Sequence, residues 1–200
     1  MPIVKQSLLH SFGVHVSRYG VNTSPWVRLV RSLEHHRINV VLDIGANVGQ
    51  FARDLRHSGF NGQIVSFEPL PSAHADLSRA ASGDPKWVVP PPLAISDHCG
   101  EIALNVAHSS VASSVLQLRS DFSVDPTFAP TKTISVECST LDHAFSKYVA
   151  RNDIAFVKLD VQGHEPAILK GGEQTLKHIA GLQVELSFAR YTRARCITWK

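Results

Sequence analysis

The sequence is poor in cysteine and contains no long apolar run. Its three cysteines, Cys99, Cys138 and Cys196, are widely separated, so they show neither the paired spacings of a zinc site nor the density of a disulfide framework. Nowhere do about 18 apolar residues follow one another, and residues 1–20 lack the pattern of a secretion signal. We therefore expect a reduced, cytoplasmic protein without a membrane span.

The chain also lacks a strong excess of charge of either sign. Its 20 basic and 17 acidic residues give a net charge of +3, and the basic residues form no stripe interleaved with aromatic side chains. Nucleic acid is therefore not an expected partner. A length of 200 residues, 44% hydrophobic and 18% charged, suits a single domain with a sizeable core.

The first half of the sequence alternates between strand-like and helix-like segments. Val40–Ile44 is apolar apart from Asp43, as strands buried on both faces of a parallel sheet tend to be. Ser24 and Ser72 are predicted helix N-caps. In chain order we predict helix Pro25–His36, strand Val40–Ile44, helix Phe51–His57, strand Gln63–Phe67, helix Ser72–Ala81 and strands Trp87–Val89 and Leu93–Ile95. This β-α-β-α-β order predicts an α/β fold with a parallel sheet.

The second half contains an interruption and then returns to the same alternation. Strands are predicted at Ile102–Val106 and Thr133–Glu137, within an irregular insertion at about 98–138. The later elements are strand Ile154–Leu159, helix Glu165–Leu169, a Gly171-Gly172 break, a second helix to about His178 and strand Leu182–Leu186. We divide the single domain into a helical lead-in at 1–38, an α/β core at 39–187 and an atypical tail at 188–200.

The segment VLDIGANVGQF at Val41–Phe51 has the arrangement of a nucleotide-binding loop. A buried strand leads into Asp43-x-Gly45-x-Asn47-x-Gly49 and then into a helix, and glycines let a ligand approach the backbone. Asn47 tolerates left-handed backbone geometry and can replace a middle glycine. Glu68 closes the next strand, where a carboxylate can accept hydrogen bonds from ribose hydroxyls. In the alternative interpretation, Gly45 and Gly49 only form a tight turn between strand and helix, and Glu68 is a solvated strand end that binds no ligand.

The loop departs from the two commonest nucleotide fingerprints. The dinucleotide pattern G-x-G-x-x-G would require glycine at the positions of Asn47 and Gln50, which disfavours a nicotinamide cofactor. The pattern G-x-x-x-x-G-K-[ST] does not occur, which excludes a P-loop.

Seven short motifs identify a family that the loop alone does not. They are DIGANVGQF at 43–51, FEP at Phe67–Pro69, AISD at Ala94–Asp97, STLD at Ser139–Asp142, KLDVQGHE at Lys158–Glu165, LKGG at Leu169–Gly172 and VELS at Val184–Ser187. In this order they resemble the FkbM family of S-adenosylmethionine-dependent methyltransferases, and the resemblance covers about Val40–Ser187.

The resemblance implies a fold, a cofactor and a set of cofactor contacts. The fold is a Rossmann-like class I methyltransferase, with a mostly parallel sheet and helices on both faces, and the cofactor is S-adenosylmethionine. Gly45 and Gly49 would lie against its methionine and ribose portions, and Glu68 would bind the ribose hydroxyls. Asp43 would face the methionine amino group directly or through water. Asp97 would contact the adenine amino group or cap a turn, and both interpretations are open.

Asp160, His164 and Glu165, in KLDVQGHE, are the candidate catalytic residues. They follow a predicted parallel strand at the end where ligands of open α/β sheets bind. His164 is a candidate base because its ordinary pKa leaves the ring mostly neutral at pH 7. The alternatives are a capping role for His164 and a helix-dipole role for Glu165. Asp160 and Glu185 end or interrupt buried strands, where acids need partners. A metal held by these two acids and a histidine is conceivable, but we do not predict one.

The end of the chain differs from the family pattern. There the fold continues after the VELS strand with a helix and an antiparallel strand pair, whereas this sequence ends in ARYTRARCITWK. We therefore expect strand order 3-2-1-4-5, with Leu182–Leu186 at an uncovered edge and no antiparallel pair. Since edge strands present unpaired backbone groups, we expect a homo-oligomer through this edge or a marginally stable monomer.

Three hypotheses for function follow. The first is an O-methyltransferase that acts on a hydroxyl of a sugar, glycolipid or other secondary metabolite. The second is a shortened relative that binds the cofactor but is catalytically impaired. The third is a nicotinamide-dependent oxidoreductase with an unusual loop.

Overall fold

A computed structural model of the chain describes residues 24–107 and 130–185. In chain order its elements are α1 Pro25–His35, β1 Val40–Ile44, α2 Gln50–His57, β2 Gln63–Phe67, α3 Pro71–Ala81, β3 Trp87–Val88, β4 Ala94–Ser96, β5 Gly100–Ala107, β6 Pro130–Thr140, α4 Leu141–Tyr148, β7 Ala155–Leu159, α5 Glu165–Lys170, a 3₁₀ turn Thr175–Lys177 and β8 Gly181–Val184. The predicted tail at 188–200 lies outside the described residues.

Five of the strands form a parallel sheet in the order β3-β2-β1-β7-β8. This confirms the predicted α/β architecture and the strand order 3-2-1-4-5. β8 lies at one edge of the sheet among the described residues, and association through that edge stays a prediction. The predicted absence of an antiparallel strand pair concerns residues after 185, outside the described part of the chain.

Two apolar clusters cover the two faces of the parallel sheet. Because side chains alternate along a strand, β1 sends Val41 into one cluster and Val40, Leu42 and Ile44 into the other. All five β1 residues are buried, including Asp43, as the otherwise apolar pattern of the strand predicted. The first cluster also holds Ile64 of β2, Trp87 of β3 and Phe156 of β7.

Helix starts were predicted with mixed success. The Ser24 hydroxyl accepts a hydrogen bond from the Val27 amide at 3.3 Å, so Ser24 caps α1 as predicted. The prediction that Ser72 caps the next helix is wrong, because α3 begins at Pro71 with Leu70 as its N-cap. The fixed φ of proline suits the first helical position, so this helix starts without a capping side chain.

Helix α4 is the element that the sequence reading missed. Its signal was present in the STLD motif, because the Thr140 hydroxyl caps the helix by accepting from the His143 amide at 3.2 Å. The second helix predicted to end at about His178 is only the 3₁₀ turn Thr175–Lys177. Asp142 holds that turn by accepting from the Thr175 amide and hydroxyl, each at 2.7 Å.

The region predicted as an irregular insertion contains a second sheet. β4 pairs in parallel with β6, and β5 pairs antiparallel with β6. The predicted strands Ile102–Val106 and Thr133–Glu137 are confirmed within these longer strands. Their pairing with β4 was not predicted.

No helix in the described ranges combines the length and the apolar composition needed to cross a bilayer.

Candidate functional site

A row of polar side chains crosses the parallel sheet near the carboxyl ends of its strands. Asp43 of β1 is in register with Ser66 of β2 and with Lys158 of β7. The Ser66 hydroxyl donates to Asp43 Oδ2 at 3.2 Å and accepts from Trp87 Nε1 at 3.0 Å. On the other side, Lys158 Nζ lies 3.1 Å from Asp43 Oδ1. These contacts join four neighbouring strands through one buried polar chain.

The Asp43 carboxylate, in the middle of this row, has no exposed surface. Burial raises its pKa, and the neighbouring Lys158 ammonium opposes that change. Its Oδ1 forms the 3.1 Å ion pair with Lys158, but among the described residues it makes no hydrogen bond of good geometry. Burying a carboxylate oxygen without enough hydrogen bonds is unfavourable in free energy, so the site suits a ligand that brings a donor to Oδ1.

The loop after β1 has the backbone geometry of a ligand cradle. Gly45, Asn47 and Gly49 have φ values of 76°, 50° and 85°. A Cβ on Gly45 would lie 2.0 Å from the backbone oxygen of Asp160, and one on Gly49 would lie 2.8 Å from the Trp87 ring. The loop therefore needs glycine for both conformation and space, and Asn47 takes the left-handed conformation expected of it.

Glu68 lies against this loop and is buried, so it is not the solvated strand end of the alternative interpretation. Its Oε2 accepts from the Asn47 amide and its Oε1 from the Leu70 amide, each at 2.8 Å. Burial raises the pKa of Glu68, while these two backbone donors lower it. Each carboxylate oxygen has a second lone pair, so ribose hydroxyls can still donate to Glu68.

Asp160 follows β7 and lies directly beside the loop. Its amide donates to the Ile44 carbonyl at 3.1 Å, and its Oδ2 lies 3.4 Å from Lys158 Nζ. About a quarter of the side chain is exposed (28%), which leaves the carboxylate accessible to a ligand. Among the predicted catalytic residues, Asp160 is the one that the structure brings to the loop and the polar row.

Glu185 stands next to Asp160. The last paired residues of β7 and β8 are Leu159 and Val184, so Asp160 and Glu185 follow at matching positions. The negative charge and hydrogen bond of Asp160 raise the pKa of Glu185. The two acids therefore form a carboxyl pair at the edge of the candidate site.

His164 and Glu165 make contacts elsewhere. Glu165 is buried, and its Oε1 accepts from the amides of Val161 and Gly163 at 3.1 and 3.2 Å, which fixes the loop after β7. The buried His164 ring places Nε2 3.0 Å from the Ser96 hydroxyl at the end of β4. Burial lowers the pKa of His164, so the ring is neutral at pH 7. His164 is the N-cap residue of α5, but its side chain makes no capping hydrogen bond, and Glu165 lies in the first turn of that helix.

Asp97 belongs to a separate charged group at the end of β4. Its carboxylate oxygens lie 2.8 Å from His98 Nδ1 and 2.9 Å from Lys170 Nζ. These two hydrogen bonds hold the pKa of Asp97 well below its ordinary value. The partners place Asp97 with the end of α5, which favours a turn and ion-pair role over an adenine contact.

Lys158 and Ser66 are site residues to which the sequence reading gave no role. The available signal was a lysine inside the buried apolar run of β7, opposite an acid in the buried run of β1. Outside residues 108–129 and the two ends of the chain, no group of three His, Cys, Asp or Glu side chains is arranged to hold a metal ion.

Comparison with known proteins gives two matches. Residues 43–195 match the sequence profile of the Methyltransferase FkbM domain. The chain is also similar to the 2-O-methyltransferase NoeI of Sinorhizobium fredii (strain NBRC 101917 / NGR234), with 30% identity over 155 residues. That alignment covers 74% of this chain and 63% of the relative, so the chain spans less than two thirds of the relative's length.

Proposed function

The chain belongs to the FkbM methyltransferase family, and we propose that it transfers a methyl group from S-adenosylmethionine to a hydroxyl group of a small-molecule or glycolipid acceptor. The observation that carries the cofactor assignment is the buried Asp43 carboxylate at a glycine-rich loop, whose Oδ1 forms an ion pair with Lys158 but no hydrogen bond of good geometry. The methionine amino group of the cofactor is a cationic donor of the kind that this oxygen needs.

The other cofactor contacts follow from the same geometry. The Gly45–Gly49 loop would hold the methionine and ribose portions, since its positive-φ backbone turns at the carboxyl end of β1 and packs closely against Asp160 and Trp87. Glu68 would accept from the ribose hydroxyls with its remaining lone pairs while its backbone bonds keep it in place. The cofactor supplies a methyl group that is already activated by the sulfonium.

On the acceptor side, Asp160 is the proposed proton acceptor. It is the partly exposed carboxylate beside the loop, and Lys158 holds one of its oxygens. The acceptor oxygen bonds to the methyl carbon as the carbon–sulfur bond breaks, and Asp160 takes the hydroxyl proton. The products are a methyl ether and the neutral thioether S-adenosylhomocysteine. Alignment of the oxygen with the methyl carbon supplies much of the remaining rate enhancement.

His164 is the alternative proton acceptor. Its ring is neutral but buried, and one nitrogen is already engaged with Ser96. A role as the base would require the other nitrogen to reach the acceptor. Asp160 therefore has the stronger support from exposure and position.

A hydroxyl acceptor is supported by family membership and by the similarity to NoeI, which is a 2-O-methyltransferase. Within that class we propose a sugar, a glycolipid or another secondary metabolite. A nicotinamide-dependent oxidoreductase is disfavoured, because Asn47 and Gln50 replace glycines of the dinucleotide fingerprint.

Thermal unfolding with added ligands tests this proposal first. S-adenosylmethionine and S-adenosylhomocysteine should raise the melting temperature, whereas NAD should not. Asp43→Asn should lose most of the shift, while Asp153→Asn, at the amino end of the sheet, should keep it. A melting temperature that rises with NAD but not with S-adenosylmethionine or S-adenosylhomocysteine would contradict the proposal.

Transfer of labelled methyl groups to a panel of hydroxyl compounds then tests turnover. Cofactor binding without transfer to any hydroxyl compound would favour the catalytically impaired relative.

A further inference from the structure

Lys158 is the residue that joins the two halves of the proposed site. Its Nζ lies 3.1 Å from Asp43 Oδ1 and 3.4 Å from Asp160 Oδ2, and it donates to the Gly45 carbonyl at 3.1 Å. The ammonium also lies 5.4 Å from the centroid of the Phe51 ring. The side chain is only 8% exposed, so these contacts are made in a largely water-free setting.

We infer that Lys158 is a positioning residue, whose one ammonium sets Asp43 for the amino group of the cofactor and Asp160 for the acceptor. This inference rests on the proposed function, because it assigns those two ligands to the two acids.

Charge explains why a lysine is needed at this position. Two acids contact this ammonium, the fully buried Asp43 at 3.1 Å and the partly exposed Asp160 at 3.4 Å. An unpaired buried carboxylate tends to take up a proton, and a protonated Asp43 would no longer attract a cationic amino group. Burial disfavours the charged form of Lys158, but the negative charges of Asp43 and Asp160 outweigh it and raise the pKa. Lys158 therefore keeps its charge at neutral pH.

The geometry also restricts where the carboxylates can turn. Ser66 holds Asp43 Oδ2 at 3.2 Å, and Lys158 lies on the side of Oδ1. The Gly45 carbonyl anchors the ammonium to the loop that would cradle the cofactor. Removal of the ammonium would free Oδ1 to rotate or protonate, while Glu68 and the Phe67 carbonyl would still hold the glycine loop.

Two ligands separate this role from a purely structural one. S-adenosylhomocysteine and 5′-methylthioadenosine share the adenosine and the thioether, but only the first carries the amino acid portion. If Lys158 acts through Asp43, Lys158→Met should weaken the first ligand selectively. If Lys158 only supports the fold, both ligands should lose affinity together.

Calorimetry on the whole chain measures this selectivity. Lys158→Met should bind S-adenosylhomocysteine roughly tenfold more weakly, as expected for a disturbed charged hydrogen bond, and 5′-methylthioadenosine with a change of less than about twofold. Lys158→Arg keeps the charge and should therefore bind S-adenosylhomocysteine more tightly than Lys158→Met does. Lys86→Met is the matched control, since Lys86 contacts Asn61 at the amino end of the sheet. It should bind both ligands as the unmodified chain does.

The outcomes separate the inference from the proposed function. An unmodified chain that binds neither ligand overturns both. Normal binding by the unmodified chain, with equal losses or no loss in Lys158→Met, overturns the role of Lys158 alone. If Lys158→Met does not fold, Lys158→Gln keeps a donor for Asp43 without the charge and is measured on the same two ligands. The inference would also be overturned if Lys158→Gln bound both ligands as tightly as the unmodified chain does.

Discussion

The carboxylate of Asp43 lies 3.1 Å from the ammonium of Lys158, its partner in the neighbouring strand of the sheet. Both residues are buried, and they follow the same sheet face as the apolar side chains of Val41 and Phe156. Successive side chains of a strand point to opposite faces of the sheet, so the charged pair lies on the same face as these apolar residues. The pair therefore stands where the apolar core ends and the candidate site begins.

Glu68→Ala should weaken S-adenosylhomocysteine binding by about 1–3 kcal/mol, because the ribose hydroxyls lose a charged acceptor. It should also lower the melting temperature, since the amides of Asn47 and Leu70 lose their partner. Glu34→Ala removes a carboxylate from an exposed ion pair on α1 and serves as the control. An unchanged dissociation constant in folded Glu68→Ala would show that Glu68 does not bind the ribose.

Gly45→Ala should destabilise the fold strongly, because its Cβ would meet the Asp160 backbone oxygen at 2.0 Å. The expected loss exceeds the roughly 1–3 kcal/mol that left-handed strain alone costs. Gly59→Ala is the matched control, since Gly59 has a φ of 103° but open space around its Cβ position. Urea unfolding of both variants measures the difference. Equal losses would mean that the loop relaxes away from Asp160.

Asp160→Asn should lower the methyl-transfer rate by about 10²–10⁴-fold if Asp160 takes the acceptor proton. Its affinity for S-adenosylhomocysteine should change much less. His164→Ala should have the smaller effect on rate, because the His164 ring is buried against Ser96. Single-turnover kinetics with a hydroxyl acceptor found by the panel compares the two variants. A larger loss of the methyl-transfer rate in His164→Ala than in Asp160→Asn would indicate that His164 takes the acceptor proton.

Stability should fall more steeply on acidification in the unmodified chain than in His164→Gln. Burial lowers the pKa of His164 in the folded state from its ordinary value of 6.5, although the charges of Asp97 and Glu165 oppose this. Between the lowered and the ordinary pKa, the unfolded chain binds more protons, so folding stability rises with pH in this window. The contribution is complete above about pH 6.5 and is lost as pH falls through the lowered pKa.

Urea unfolding between pH 7 and pH 5 tests this difference, because titrations shared by both chains cancel in the comparison. Parallel pH profiles would show that the His164 pKa is not lowered on folding.

The main sheet and the loop could be predicted because their signals are local. The mostly apolar β1 and the residues able to adopt positive φ at 45, 47 and 49 lie within one short segment. Helix α4 was not predicted although Thr140 is a favourable N-cap, because its eight residues give only a short amphipathic pattern. The Ser72 cap was wrong because Pro71 starts the helix by its fixed backbone angle.

The sequence by itself determined the glycine loop, the position of Glu68 and the family, since each depends on residue types at short or fixed spacings, and the family resemblance in turn implied the strand order. Only the tertiary structure decided which side chains meet. Pairing of β4 with β6 carries Ser96 to His164, and pairing of β1 with β7 sets Lys158 between Asp43 and Asp160. Such contacts join residues far apart in the chain, so no local pattern specifies them. They depend on how sheets and helices pack together.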